Sequence, residues 1–479
     1  MRRLIAGASL GAIGAAGAVA GGIALSDPDR RHRVERQVRV WRLTARRGVH
    51  WALVKVKGRW ADEEARAKLE ESFAIRTAED VAEVLGGMKG AIMKAGQMIS
   101  FIAEGLPPEA QAALATLQAD VPPMAPSLAE GVVRDELGAD PDRLFLDWDP
   151  VPVAAASIGQ VHRAVMPDGR VVAVKVQYPG VDKAIRSDLD NAELLYGLFA
   201  SFALKNLDVK ALVDELRKRM ADELDYRLEA SCQAAFAQRY RGHPFIRIPD
   251  VVPERSAARV LTSEWVDGQR WDEFLPAADE DRRQRAAEVL FRFAQGSVHR
   301  HRVFNGDPHP GNYRFHPDGS VTFLDFGLVK RWDQGEFEQL TPILDAILAG
   351  DPKLTVEQAI RAGFLPADHG FDPAFVYEYV SGPYEPYLTD SFTFSRQWVG
   401  QALEKVIDIQ GRYGELIRKL NMPTSYVILD RVVWGMSALF GHLGATGNWR
   451  AMLDEYRHGA PPSTELGRQE AEWAAARTG

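Results

Sequence analysis

Apolar positions along the chain change period several times, and each change marks a different kind of element. Residues 4–25 contain no charged side chain and consist mostly of Ala, Gly, Ile, Leu and Val. That length matches the roughly 20 apolar residues a membrane-crossing helix needs. From Thr77 a helical period sets in, with Val81, Leu85, Met88 and Ile92 at three- and four-residue steps. Leu106-Pro107-Pro108 and Val121-Pro122-Pro123 break it, and Ser127 to Leu137 reads as a further short helix. The period then shortens to two. Val161 to Ala164 and Val171 to Val176 read as strands around a turn at Pro167-Asp168-Gly169. Val209, Leu212, Val213, Leu216, Met220 and Leu224 restore the helical step. Ile246 to Val252 and Arg259 to Val266 again read as strands, and beyond Trp271 helix dominates. One hairpin interrupts this last stretch: Tyr313-Arg314-Phe315, a turn over His316-Pro317-Asp318-Gly319, then Val321 to Leu324.

This order predicts an α+β fold of two lobes. The chain divides into a candidate membrane anchor (1–28), a basic helical linker (29–76), a helical extension (77–150), a strand-rich lobe (151–266), a helical lobe (267–460) and a polar tail (461–479) expected to be frayed. A length of 479 residues suits about two to four units of roughly 100–200 residues each.

Charge sharpens the picture at the N-terminus. Arg30, Arg31, Arg33, Arg36, Arg39 and Arg42 follow the apolar segment, and basic residues collect on the cytoplasmic side of a membrane. The body is therefore expected to be membrane-associated and cytoplasmic. Ala18-Val19-Ala20 also has the small-residue form of a signal-peptide cleavage site. Gly7 and Gly11, and Gly17 and Gly21, have the spacing that lets two helices approach and so form a homodimer; an Ala/Gly-rich segment also produces such spacings by chance. Trp41, Trp51 and Trp60 in the basic linker suit either a helix at lipid headgroups or a solvated helix with an aromatic face. The net charge of −8 gives no electrostatic case for nucleic acid as a partner. The single cysteine, Cys232, excludes an intramolecular disulfide and gives no zinc pattern.

The chemistry concentrates in Asn305-Gly306-Asp307-Pro308-His309-Pro310-Gly311-Asn312, followed by Leu324-Asp325-Phe326-Gly327. Phosphoryl transfer needs a carboxylate near the nucleophile and oxygen ligands for Mg²⁺. Asp307, with Asn312 five positions later, has the spacing of a catalytic carboxylate and a metal ligand, and Asp325 stands across a hairpin as the second ligand. Upstream, Val172-Ala173-Val174-Lys175 completes the set. Ala173 and Lys175 share one strand face, so the small Ala173 leaves room for adenine while Lys175 reaches the phosphates of ATP. Lys175 needs a carboxylate, and Glu229 or Asp225, four apart on the following helix, can supply it. Glu223 points elsewhere on that helix, toward Arg219 or Arg227. Ala154-Ala155-Ala156-Ser157 occupy the place of a glycine-rich phosphate loop, and alanine lacks the positive φ that glycine allows, so this loop is expected to be stiff. Leu261 to Gly268 fits a strand entering the hinge between lobes, with backbone groups from Glu264 to Val266 facing adenine. An ATP-dependent body needs the cytoplasmic nucleotide pool, which favours the membrane span over the cleaved signal.

Taken with Lys94-Ala95-Gly96-Gln97 and Glu223-Leu224-Asp225, these motifs resemble those of the UbiB/AarF/ADCK family of atypical kinase-like proteins, over about Thr77 to Phe440. The resemblance implies a kinase-like fold with the Lys94, Gly96 and Gln97 helix folded over the active site. It implies a regulatory contact of Lys94 with Glu223 and Asp225, in place of the surface pairing of Glu223, and gives Glu229 to Lys175. It implies ATP and Mg²⁺ as cofactors, ATPase rather than protein-kinase behaviour, and a role at membranes in isoprenoid-quinone biosynthesis or lipid homeostasis. The expected partners are a membrane lipid or quinone precursor and quinone-biosynthesis enzymes. A scaffold that binds nucleotide without productive turnover is the alternative, and a true protein kinase a more distant one. Two departures stand out. No Ala-Pro-Glu or long activation segment follows Gly327, and Asp430 and Arg431 interrupt the apolar stretch Tyr426 to Leu439, where bacterial family members often carry a membrane span.

Overall fold

The computed structural model describes residues 124–156, 158–181, 224–407, 411–421 and 424–478. The apolar segment 4–25, the linker, the Lys94–Gln97 helix, Ser157, Glu223 and nearly all of the helix expected from Val209 lie outside them. Among the described residues no helix is long and apolar enough to cross a membrane.

The first lobe is built on a five-stranded sheet. Its chain order is β1 (Asp147–Trp148), β2 (Ala154–Ala156), β3 (Gly159–Val165) and β4 (Val171–Gln177), with β6 (Val260–Glu264) closing the far edge after β5 (Ile246–Arg247) has been laid down elsewhere. All of its pairings are antiparallel. In β4 the valines Val172, Val174 and Val176 are fully buried while Ala173 and Lys175 are half-buried, the alternation of a pleated strand. The valine face packs against Ala129, Val132 and Val133, at helical steps on α1 (Pro126–Leu137). Burying each valine contributes about 1.5–3 kcal/mol relative to exposure. Helix α1 starts with proline in its first turn and stops at Gly138, whose φ of 82° lets its N–H reach the Arg134 carbonyl. After the short α2 (Pro141–Leu144), β1 pairs with β3, so the lobe already begins upstream of Val151.

The stretch Ile246 to Val252 does not form the expected strand. Only β5 is regular, and it pairs in parallel with the hairpin strand Val321–Phe323 of the second lobe. Pro249 follows and has no N–H to donate, so the chain rejoins the first sheet through a single bridge, Val251 to Ser263.

Among the described residues, the first lobe also holds α3 (Tyr226–Arg239), which leads toward the second lobe. That lobe contains α4 (Trp271–Ala277), α5 (Glu280–Gln295), β7 (Val303–Asn305), the hairpin β8 (Tyr313–Phe315) and β9 (Val321–Phe323), and β10 (Val329–Arg331), which pairs with β7. Helices α6 (Glu336–Leu348), α7 (Pro352–Arg361), α8 (Pro373–Val380), α9 (Arg396–Ile407), α10 (Gly414–Lys419), α11 (Thr424–Leu443) and α12 (Trp449–Arg457) follow. One aromatic-rich core joins α3, α5, the hairpin and α11.

The tail is not frayed. Residues Glu465–Thr478 form α13, docked by buried Leu466 and by several of its polar residues. Glu470 is buried and accepts from Arg292 at 3.2 Å and from Arg300 at 2.9 Å. Arg292, fully buried on α5, also donates to Glu288, Glu455 and Thr464. Trp473 lies 4.5 Å from His243 and donates to the Arg241 carbonyl, while Arg477 takes the Arg241 and Gln238 carbonyls at the end of α3. Truncation after Pro461 should cost about 3 kcal/mol or more, because it removes partners from a buried cation. Urea unfolding with an unchanged midpoint would contradict this docking.

Candidate functional site

Lys175 projects from the open face of β4 into the cleft between the lobes. Its Nζ donates to both Glu229 oxygens, at 2.8 and 2.9 Å, and lies 3.7 Å from Asp325 Oδ2. The Tyr226 ring is 4.9 Å away. Burial by itself would lower the lysine pKa, but the charges of Glu229 and Asp325 outweigh it and hold Lys175 well above its usual value. Glu229 sits in the first turn of α3, one turn after Tyr226, and is buried. Asp225 is not on the same helix face, as its spacing suggested. It is the cap of α3: its side chain accepts from Arg227 N–H at 3.0 Å and pairs with the Arg227 guanidinium. The choice between Asp225 and Glu229 as partner of Lys175 is thereby made for Glu229.

The loop after β7 brings the second half of the site. Asp307 N–H donates to Asn305 Oδ1 at 2.9 Å, and Asn305 Nδ2 donates to the Asp325 carbonyl at 2.5 Å, which ties this loop to the one after β9. Asn312 Nδ2 reaches the Asp307 carbonyl at 3.2 Å and its Oδ2 at 3.3 Å. Asp325 Oδ1 accepts from Gly327 N–H at 2.9 Å. Phe326 is buried 4.9 Å from Phe236 on α3, so the same helix that holds Lys175 through Glu229 also seats the Asp325 loop.

The remaining predicted contacts border this centre. Ala154, Ala155 and Ala156 form a short strand, opposite Val161, Gln160 and Gly159 of β3, so the alanine segment is a paired hairpin arm and not an open loop. Gly159 is required there: a Cβ would lie 2.2 Å from the Val176 carbonyl oxygen. At the hinge, the Glu264 and Trp265 N–H groups bond to the Asp250 and Val171 carbonyls. Among the described residues, the Val266 N–H has no backbone acceptor.

The donor set fits a divalent cation shared with phosphate. Asn312 gives its amide nitrogen to Asp307, so its carbonyl oxygen is the ligand atom left over, and Asp325 adds a carboxylate. Among the described residues no three His, Cys, Asp or Glu converge into a protein cage. Mg²⁺ does not need one, because one or two protein oxygens, phosphates and water complete its shell. A paired lysine, two hard oxygen ligands and a carboxylate on one cleft can hold and polarise a phosphate chain.

The family model described as the ABC1 atypical kinase-like domain matches residues 116–359, which contain every one of these groups. The chain belongs to the ABC1 family of atypical kinase-like proteins, the UbiB/AarF family of the sequence motifs. It is similar to an uncharacterised chloroplastic aarF domain-containing protein kinase of Arabidopsis thaliana, 35% identical over 268 residues, 56% of this chain and 38% of that protein. It is also similar to the mitochondrial atypical kinase COQ8B of Rattus norvegicus, 32% identical over 291 residues, 60% of this chain and 54% of that one. The matched stretches thus span about half or less of these curated relatives. Among solved structures, Rv3197 of Mycobacterium tuberculosis in complex with erythromycin is 31% identical, with a TM-score of 0.60, over 83% of this chain and 98% of that one.

Within this ABC1 fold, one site residue escaped sequence reasoning. Arg431, on α11, forms an ion pair with Asp307. The signal was present: Asp430 and Arg431 interrupt an otherwise apolar helix, and charges there need partners. Asp430 lies among side chains that bury it, which raises its carboxyl to about 6, partly offset by a hydrogen bond with Trp434.

The Lys175 pKa fixes a pH window. A lysine raised by its partners contributes its full stabilisation below the free-lysine value of about 10.4 and loses it only as pH climbs through the higher folded value. Nucleotide affinity should therefore stay flat between about pH 7 and 9 in the wild type. Glu229→Gln should weaken it about tenfold, since it removes the nearer of the two charges that hold the lysine in place. Equal affinity for Glu229→Gln, measured by fluorescent-nucleotide titration, would contradict the pairing.

Proposed function

We propose that this ABC1 protein binds Mg·ATP in the cleft and passes the γ-phosphoryl group to water or to a small molecule or lipid, in support of isoprenoid-quinone biosynthesis or lipid homeostasis at a membrane. The carrying observation is Lys175 held between Glu229 and Asp325, with Asp307 and Asn312 on the adjoining loop. Lys175 would bind the α- and β-phosphates, Ala173 would admit adenine, and the Val266 backbone would recognise its edge. Mg²⁺, held by Asn312 and Asp325, would neutralise the charge that develops on the phosphates. Asp307 would orient the acceptor hydroxyl. The new bond joins the acceptor oxygen to the γ-phosphorus, the bond to the bridging oxygen breaks, ADP leaves with the electron pair, and the acceptor's proton passes to solvent.

The kinship to COQ8B supports the quinone assignment, and the erythromycin complex of Rv3197 supports a bulky apolar small molecule as second ligand. Residues 4–25 would supply the membrane anchor. A protein substrate is disfavoured by the short path from Gly327 through β10 to α6 at Glu336, which leaves little chain to build a peptide groove. The paired alanine hairpin supports a second reading, a scaffold that binds nucleotide without turning it over.

Turnover decides between the two. With purified full-length protein and lipid vesicles, ATP hydrolysis should be Mg²⁺-dependent and fall at least a hundredfold in Asp325→Asn. Binding without turnover in the wild type selects the scaffold. Turnover undiminished in Asp325→Asn contradicts both site assignments.

A further inference from the structure

Phosphoryl transfer spreads negative charge beside the catalytic carboxylate, and a site that stabilises it uses a fixed cation. Between Asp307 and Asn312 stand Pro308, His309, Pro310 and Gly311, with no Lys or Arg. The His309 ring is engaged inside the loop, accepting from Gly311 N–H at 3.1 Å. The neighbouring cation comes instead from a helix 124 residues further along the chain. Arg431 Nη2 donates to Asp307 Oδ1, while Asn312 Nδ2 takes Oδ2. Both side chains of the ion pair are shielded, Arg431 at 18% and Asp307 at 12% exposure.

The backbone is shaped for this contact on both sides. A Cβ on Gly435 of α11 would lie 2.4 Å from Pro308 Cγ, and a Cβ on Gly306 of the loop would lie 2.6 Å from Ile428 Cγ2 of α11. Ile428, Arg431 and Gly435 fall at three- and four-residue steps, so they occupy one face of α11. A single helix face thus touches the loop before, at and after Asp307.

We propose that Arg431 is a positioning residue, delivered by α11, that fixes the Asp307 carboxylate against the reacting phosphoryl group and supplies the cation the loop lacks. The proposal rests on the phosphoryl-transfer reading above. Arg431 neither gains nor loses a proton in the step. It holds Asp307 in one orientation, so its contribution falls on turnover and not on nucleotide binding.

The test uses full-length Arg431→Ala, Arg431→Lys and Gly435→Ala with ATP and Mg²⁺. For Arg431→Ala, kcat should fall about a hundredfold while nucleotide Kd moves less than about threefold. Arg431→Lys should recover part of the loss. Millimolar guanidinium should restore turnover in Arg431→Ala and leave the wild type unchanged, a rescue that a merely structural arginine would not show. Gly435→Ala, which pushes α11 off Pro308 without touching the charge, should lower kcat and resist guanidinium. Wild-type turnover in Arg431→Ala, or equal loss of binding and kcat without rescue, overturns the proposal and leaves the phosphoryl-transfer reading standing. A wild type that binds ATP and never turns it over overturns both.

Discussion

A shielded lysine must be paired, and the pairing of Lys175 organises the site. Its ammonium meets Glu229 from α3 and Asp325 from the loop after β9, so a strand, a helix and a loop from different parts of the chain are drawn to one point. An uncompensated charge in such a place costs several kcal/mol, and removing one partner costs more than the pair contributes. The surrounding packing serves the same arrangement. Val172, Val174 and Val176 lock β4 onto α1 from behind, and Phe326 under Phe236 keeps the Asp325 loop on the same helix as Glu229.

That helix is held at both ends. At its start Asp225 caps the backbone, Gln177 of β4 donates to the Leu224 carbonyl at 2.9 Å, and Tyr226 N–H reaches the Ala258 carbonyl. At its far end Trp473 and Arg477 of α13 take the Arg241 and Gln238 carbonyls. Helix α13 thus anchors the end of α3 opposite the turn that carries Glu229.

Sequence reasoning succeeded where the chemistry is local and failed where partners are remote. Strand alternation placed Ala173 and Lys175 on one face, and the hairpin joining Asn312 to Asp325 was legible from its turn residues. Kinship to the ABC1 family followed from the same short motifs. The partner of Asp307 was not legible, because Arg431 lies 124 residues away and spacing carries no information over that distance. The tail read as frayed because its polar residues suggested solvent, yet Glu470 and Arg477 find buried or backbone partners. Asp225 misled because the helix read from Val209 was carried through to Glu229, whereas Leu224 and Asp225 are not helical and Asp225 caps a helix that starts at Tyr226. Ile246 to Val252 misled because Pro249 divides an apolar run between two sheets.

The proposed role of the charged centre around Lys175 is to bind nucleotide together with a divalent cation. Calorimetric titration of the full-length protein with ATP, with and without Mg²⁺, and again on Lys175→Met, tests this. One site per chain is expected, tighter with Mg²⁺ and lost in Lys175→Met with the fold intact by circular dichroism. No binding in the wild type, or equal binding in Lys175→Met, would contradict it.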